Sequence, residues 1–224
     1  MPTGSVGGTP RAQPPGRPGP AELPMALAGP GPGAPHRRSL CTRSIWLARK
    51  IRSDLTALLD SYVEHQGLSG HLNLDSVAGV PPASTDRWSE MTEAERLQEN
   101  LRAYRAFHAL LGQVLEVQRA LLTPTEVDFH EAIHAVLVQV AAFIFQLEEL
   151  MGFLEHAIPP HESPGAPGGA QLGAFEKKLL GLKVLRELEQ WTLRSVRDLR
   201  LISSPSHDGV PVHAGQRLAE VQKM

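Results

Sequence analysis

Apolar residues recur at steps of three and four in four long stretches of the chain, the spacing that lines up one face of an α-helix. In the first stretch Ile45, Ala48, Ile51, Leu55, Leu58 and Tyr62 share a face, with Arg43, Arg49, Lys50, Arg52 and Asp54 between them. This predicts a helix over 39–66, stopped by Gly67. Thr92 and Glu95 form a capping-box signal that opens a second helix over 93–121. Its stripe reads Ala94, Leu97, Leu101, Tyr104, His108, Leu111 and Leu115, which places His108 at the core or its border. Thr123-Pro124-Thr125-Glu126 predicts a cap with Pro at the first helical position, opening a third helix over 124–158. Leu137, Val140, Ile144, Leu147, Met151, Leu154 and Ile158 are its stripe, and Pro159-Pro160 ends it. A fourth helix over 174–203 buries Leu179, Leu182, Leu185, Leu188, Val196, Leu199 and Ile202. No strand pattern and no internal repeat is evident.

Connection lengths turn four helices into a topology. A helix of ~25 residues is roughly 38 Å long. The first connection, 67–91, can extend roughly 80 Å, and the third, 159–174, roughly 50 Å. Either can run the length of a bundle. The second connection is a few residues long, so the middle helices must be antiparallel neighbours. The predicted fold is an all-α four-helix bundle, up-up-down-down, with two long crossover loops; an up-down bundle with slack loops is the alternative.

The ends of the chain differ in composition. Residues 1–38 hold eight Gly and ten Pro with almost no large apolar side chain, which predicts a disordered extension. Residues 205–224 read as a flexible polar tail, leaving 39–204 as the folded domain. The net charge of -2 gives no whole-chain attraction for nucleic acid or anionic membrane. No window approaches an uncharged membrane span. The apolar run Leu23–Ala28 is too short for a secretion signal and is cut by Pro24, so a cytoplasmic address is expected. Cys41 is the only cysteine, so no intrachain disulfide forms and packing alone must hold the fold.

One motif points to chemistry. His130-Glu131-Ala132-Ile133-His134 has the H-E-x-x-H form, which on a helix aligns two imidazoles for zinc with Glu131 as general base. The extension that would bring a third ligand fails, with Leu137 and Val140 where a Gly and a His are needed. His130 also continues the apolar stripe backward from Ile133 and Leu137, so a partly buried helix face is favoured over a zinc peptidase. No enzyme, metal or cofactor is expected. Trp46, Trp88 in the first crossover and Phe175 at the start of the fourth helix are candidate interface anchors, each weighed against ordinary packing on the bundle.

Longer runs carry more information than any of these motifs. Leu40–Leu58, the NLDS at 73–76, ASTDRWSEMTEAERLQENL at 83–101, TPTE at 123–126, QVAAF at 139–143 and FEKKLLGLKVLRELEQWTLRS at 175–195 resemble the neurotrophic members of the interleukin-6-type long-chain cytokines. The resemblance spans 36–204 and lapses in the N-terminal extension, the third connection and the tail. It implies the same up-up-down-down bundle. It also implies a cytokine that supports neuronal survival and differentiation by assembling a ligand-specific alpha receptor, the leukaemia inhibitory factor receptor and a common beta signalling subunit, whose associated kinases signal inside the cell. Members lack a classical signal peptide and act outside the cell after release. Carried onto this chain, the resemblance assigns Arg49, Arg87, Trp88, Arg194 and Asp198 to the alpha receptor, Asp54 to the common beta subunit, and Phe175 with Lys178 to the leukaemia inhibitory factor receptor. An intracellular helical adaptor is the remaining alternative.

Overall fold

Pro35 sits in the first turn of the first helix, where its missing N–H costs nothing, and the helix it opens, α1, runs Ala34–Gln66. The computed structural model describes residue 4 and residues 33–69, 72, 74–161 and 172–204. Most of the expected N-terminal extension, part of the third connection and the C-terminal tail lie outside these residues. α1 starts five residues before the predicted boundary at Ser39, so residues 34–38 belong to the bundle. Arg37 explains the difference: its Nε donates to Ile202 O at 2.6 Å, and its guanidinium pairs with Glu93. α1 ends as expected at Gly67, whose φ of +62° is open to glycine, while the Leu68 N–H reaches back to Val63 O at 3.0 Å.

α2 runs Glu93–Val117 behind the predicted capping box: Glu95 N–H donates to Thr92 Oγ1 at 3.2 Å, and Thr92 N–H donates to Glu95 Oε2 at 2.7 Å. It widens into a π turn over Gln118–Leu122, closed by Thr123 N–H to Gln118 O at 2.9 Å. α3 then runs Val127–Phe153. Thr123-Pro124 does not open it, contrary to the sequence expectation, because the Thr123 hydroxyl is held by Gln118 and His130. The end also comes early. Glu155 takes φ +57°, and the His156 N–H returns to Met151 O at 2.9 Å, a left-handed cap before Ile158. α4 runs Ala174–Ser203, as predicted.

Named contacts fix the directions. Arg37 meets Ile202, and Tyr62 meets Lys178, so α1 and α4 are antiparallel. Arg43 pairs with Glu149 and Gln139 reaches Asp54, so α1 and α3 are antiparallel. Arg37–Glu93 at one end and Gln66–Gln118 at the other make α1 and α2 parallel. The bundle is therefore up-up-down-down, with both long connections crossing its length. The core centres on Trp191, Tyr62, Tyr104, Phe107 and Phe143, all fully buried. His108 lies exposed one step off this core, and Phe107 takes the inward position. α3 is, by length and composition, apolar enough to cross a membrane, with a window of mean hydropathy 1.6 that the sequence reading did not recognise. In the bundle its inner face delivers Phe129, Ile133, Val136, Val140, Phe143 and Leu147 to the core.

Two consequences can be measured. A Cβ on Gly181 would stand 2.0 Å from Tyr62 Oη. Gly181→Ala gains ~1 kcal/mol of helix propensity, yet it is expected to lower net stability by about 1–3 kcal/mol in a denaturant titration, because Tyr62 is fully buried and must be displaced. Cys41 is fully buried, and burial pushes its thiol up to about 11, with Arg37 pulling partly the other way. At pH 8 its alkylation by iodoacetamide is expected to run about a hundredfold slower in the native protein than in the unfolded chain, from thiolate fraction alone.

Candidate receptor-binding surfaces

The first crossover is tied to the bundle by a carboxylate that water does not reach. Asp198 on α4 is fully buried. Its Oδ1 accepts from Trp88 Nε1 at 2.7 Å and from Arg96 Nη1 at 3.1 Å, and its Oδ2 accepts from Asn100 Nδ2 at 2.9 Å. Arg194 adds a poorly aligned ion pair, Nε to Oδ2 at 3.4 Å. Nearly all of Arg194 is buried: it donates to Pro82 O at 3.0 Å, pairs with Glu99 and stacks 4.5 Å over Trp191, whose Nε1 donates to Pro81 O at 2.8 Å. The proline segment of the crossover is thus pinned by Trp191 and Arg194.

Trp88 is half-buried between two guanidinium planes, Arg96 at 4.3 Å and Arg197 at 3.8 Å from its ring. Arg87 beside it is exposed and pairs loosely with Glu90 at 3.6 Å. Of the residues the sequence placed on one surface, Arg87 and Trp88 present themselves to solvent. Arg194 and Asp198 do not: both are buried, and they hold the crossover in place. Arg49 is exposed on α1 and takes no part in this cluster. Sequence reasoning missed Arg197, which is exposed and completes the Trp88 stack. The stack joins residues far apart in the chain, and no local pattern announces it.

A second surface lies at the other end of α4. Phe175 in its first turn is 61% exposed. Lys178 is half-buried, and its Nζ donates to Gln66 O at 3.0 Å, neutralising the carbonyl end of α1. An ammonium has three N–H donors, so a partner meets a lysine already oriented by one of them. Asp54, which the resemblance assigns to the common beta subunit, is partly covered. It is half-buried between α1 and α3, accepting from Lys50 Nζ and from Gln139 Nε2 at 2.6 Å. Burial pushes its carboxyl up, but these hydrogen bonds outweigh that and hold it below the ordinary carboxylate range.

The H-E-x-x-H stretch has another use. His130 is buried, with Nε2 3.2 Å from Thr123 Oγ1, while Glu131 and His134 are exposed on α3. Among the described residues no group of three or more His, Cys, Asp or Glu side chains converges as a metal site.

Comparison with known proteins shows the family. The family model described as ciliary neurotrophic factor matches residues 25–218. The chain belongs to the ciliary neurotrophic factor family. It is 64% identical over 203 residues to ciliary neurotrophic factor of Sus scrofa, covering 89% of this chain and all of the relative. Identity to the Homo sapiens protein is 61% over 201 residues, again 89% of this chain and all of the relative. Identity to the Rattus norvegicus protein is 66% over 181 residues, 80% of this chain and 90% of the relative. A member of the ciliary neurotrophic factor family is a neurotrophic cytokine, not an enzyme, and its work is recognition of cell-surface cytokine receptors.

The buried carboxylate gives a direct test of the first surface. Asp198→Ala leaves two nearly buried guanidinium groups short of their counter-charge. It is expected to cost about 3–5 kcal/mol of stability by chemical denaturation, several times the effect of an exposed ion pair such as Arg87–Glu90.

Proposed function

We propose that the chain assembles a three-part receptor complex through separate surfaces and so promotes neuronal survival and differentiation through receptor-associated kinases. The alpha subunit, ciliary neurotrophic factor receptor alpha, meets the crossover corner through Arg87, Trp88 and Arg197, which Arg194 and Asp198 hold in place, with Arg49 a further contact on α1. The leukaemia inhibitory factor receptor meets Phe175 and Lys178. The common beta signalling subunit meets the face shared by α1 and α3 beside Asp54, where Trp46, Val138 and Phe145 are exposed. The protein resides in the cytoplasm and acts outside the cell after release by a route that needs no classical signal peptide. The folded domain is the bundle, with the N-terminal extension and the tail outside it.

The observation that carries this reading is the exposure of Phe175. A large aromatic side chain left 61% exposed in a turn whose neighbours are committed to helix capping fits a contact with something outside the chain. Trp88 supports the alpha-receptor contact in another way. Its ring is clamped, so little side-chain entropy is lost when a partner covers it.

Binding of single variants to isolated receptor ectodomains separates the surfaces. Phe175→Ala is expected to weaken leukaemia inhibitory factor receptor binding by at least about thirtyfold and to leave alpha-receptor binding and helical content near wild type. Arg87→Ala with Arg197→Ala is expected to do the reverse. If each pair of affinities fell together with the melting temperature, the surfaces would be packing features and the assignment would fail.

A further inference from the structure

The first turns of α4 carry no buried side chain. Ala174, Phe175 and Glu176 are exposed, Lys177 to Leu180 are half-buried, and full burial begins only at Gly181. Apolar packing on this stretch rests on Leu180, which is only partly buried against the core. Hydrogen bonds add to it, and their directions follow from one unambiguous group. The carbonyl of Lys178 can only accept, so Tyr62 Oη donates to it, at 3.1 Å. The Tyr62 oxygen then accepts from Gln118 Nε2 at 3.3 Å. That turns Gln118 Oε1 the other way, where it accepts from Gln66 Nε2 at 3.0 Å and from the Thr123 hydroxyl at 2.9 Å. With its proton given to Gln118, Thr123 Oγ1 accepts from His130, whose Nε2 at 3.2 Å must carry the proton. The chain thus runs one way, from α3 through the π turn at the end of α2 and across α1 to the backbone of α4.

Two further features tie this chain to the start of α4. Lys178 Nζ donates to Gln66 O at 3.0 Å, so the same residue is held by main chain and side chain. Gly181, by lacking a Cβ, lets Tyr62 come close enough to reach the α4 backbone. Burial raises the Tyr62 phenol above its ordinary range, with the Gln118 hydrogen bond pulling partly back, so the ring keeps the proton it donates. The π turn belongs to the device, since Thr123 N–H to Gln118 O at 2.9 Å sets where the Gln118 side chain leaves the helix.

We propose that Tyr62, Gln118 and Thr123 are positioning residues for the receptor contact at the start of α4, acting through the Lys178 backbone and never touching the receptor. This rests on the assignment of Phe175 to the leukaemia inhibitory factor receptor. The chain lies wholly under the bundle end that carries Phe175, so the alpha-receptor corner at the other end of α4 is unaffected by it.

The test compares full-length Tyr62→Phe, Thr123→Val, Thr123→Ser and Phe175→Ala with the unsubstituted chain. Each is measured for affinity to the leukaemia inhibitory factor receptor ectodomain and to the alpha-receptor ectodomain. Tyr62→Phe and Thr123→Val are expected to lose about threefold to tenfold in the first and to stay within about twofold in the second, the scale of one hydrogen bond. Thr123→Ser keeps the hydroxyl and is expected to bind like the unsubstituted chain. Two results would overturn the proposal. One is unchanged binding by Tyr62→Phe and Thr123→Val while Phe175→Ala loses affinity, which leaves the receptor site standing and removes the positioning role. The other is a parallel loss toward both receptors, which makes the network a general stabiliser. If Phe175→Ala itself binds normally, the receptor assignment fails and the positioning role falls with it.

Discussion

A carboxylate sealed from water governs the crossover end of this molecule. Moving such a group out of solvent costs several kcal/mol, and only a full set of well-placed donors offsets that cost. Asp198 receives them from two places, Trp88 in the crossover and Arg96 and Asn100 on α2, with the charge of Arg194 beside it on its own helix. The penalty for leaving any of these unpaired is what makes the arrangement specific. A crossover that can extend roughly 80 Å has many ways to lie along a bundle. Only those that deliver the Trp88 indole to Asp198 and the Pro81 and Pro82 carbonyls to Trp191 and Arg194 satisfy the buried charges. Electrostatics thus selects one path for a segment that hydrophobic burial constrains weakly, since Val77 and Val80 are its only buried apolar side chains among the described residues.

How much of this was legible in the sequence depends on range. Helical periodicity is local, and it located all four helices, the Thr92–Glu95 box and the Gly67 stop. Connection lengths are also local, and they pointed to the parallel pairing of α1 with α2. Errors begin where a local signal has a competitor that periodicity does not weigh. Thr123-Pro124 has the form of a helix start, but the Thr123 hydroxyl is taken by Gln118 and His130, only five and seven residues away in the chain. His108 fits the stripe of α2 by spacing, yet Phe107 and Leu111 set the phase because they bury more apolar surface. Arg194 and Asp198 were placed on a receptor surface by the resemblance alone, yet both are buried, as charged side chains rarely are unless paired. Their partners Arg96, Glu99 and Asn100 lie on another helix, and no window on α4 contains them.

The recognition surfaces divide along the same line. Phe175 was legible as a candidate because exposure at a helix start is a local property, whereas Arg87 entered only through the resemblance. Arg197 was not legible, because its importance comes from standing 3.8 Å over a ring contributed by the crossover. Asp54 is oriented in a similar way. Its place on α1 is peripheral, but α3 packs alongside and Gln139 reaches over to it. Reading a surface from one chain stretch therefore finds the residues that protrude and misses those that orient them.

The two ends of α4 carry the two best-defined surfaces, and the helix between them sets their separation. At 1.5 Å per residue, Phe175 and Arg197 stand roughly 33 Å apart along its axis. Between them Leu182, Val184, Leu185, Leu188 and Trp191 are all fully buried, so the segment has no slack in which one end can shift without disturbing the core. Communication between distant sites needs an element with two alternative arrangements. A helix locked along its middle against α1 and α2 offers none. A partner at one end is then indifferent to occupancy at the other except through contacts the partners make with each other. Under the proposed assignment the molecule is a rigid spacer that holds two receptor contacts at a fixed distance, and cooperativity in assembly then arises between the receptors that share it.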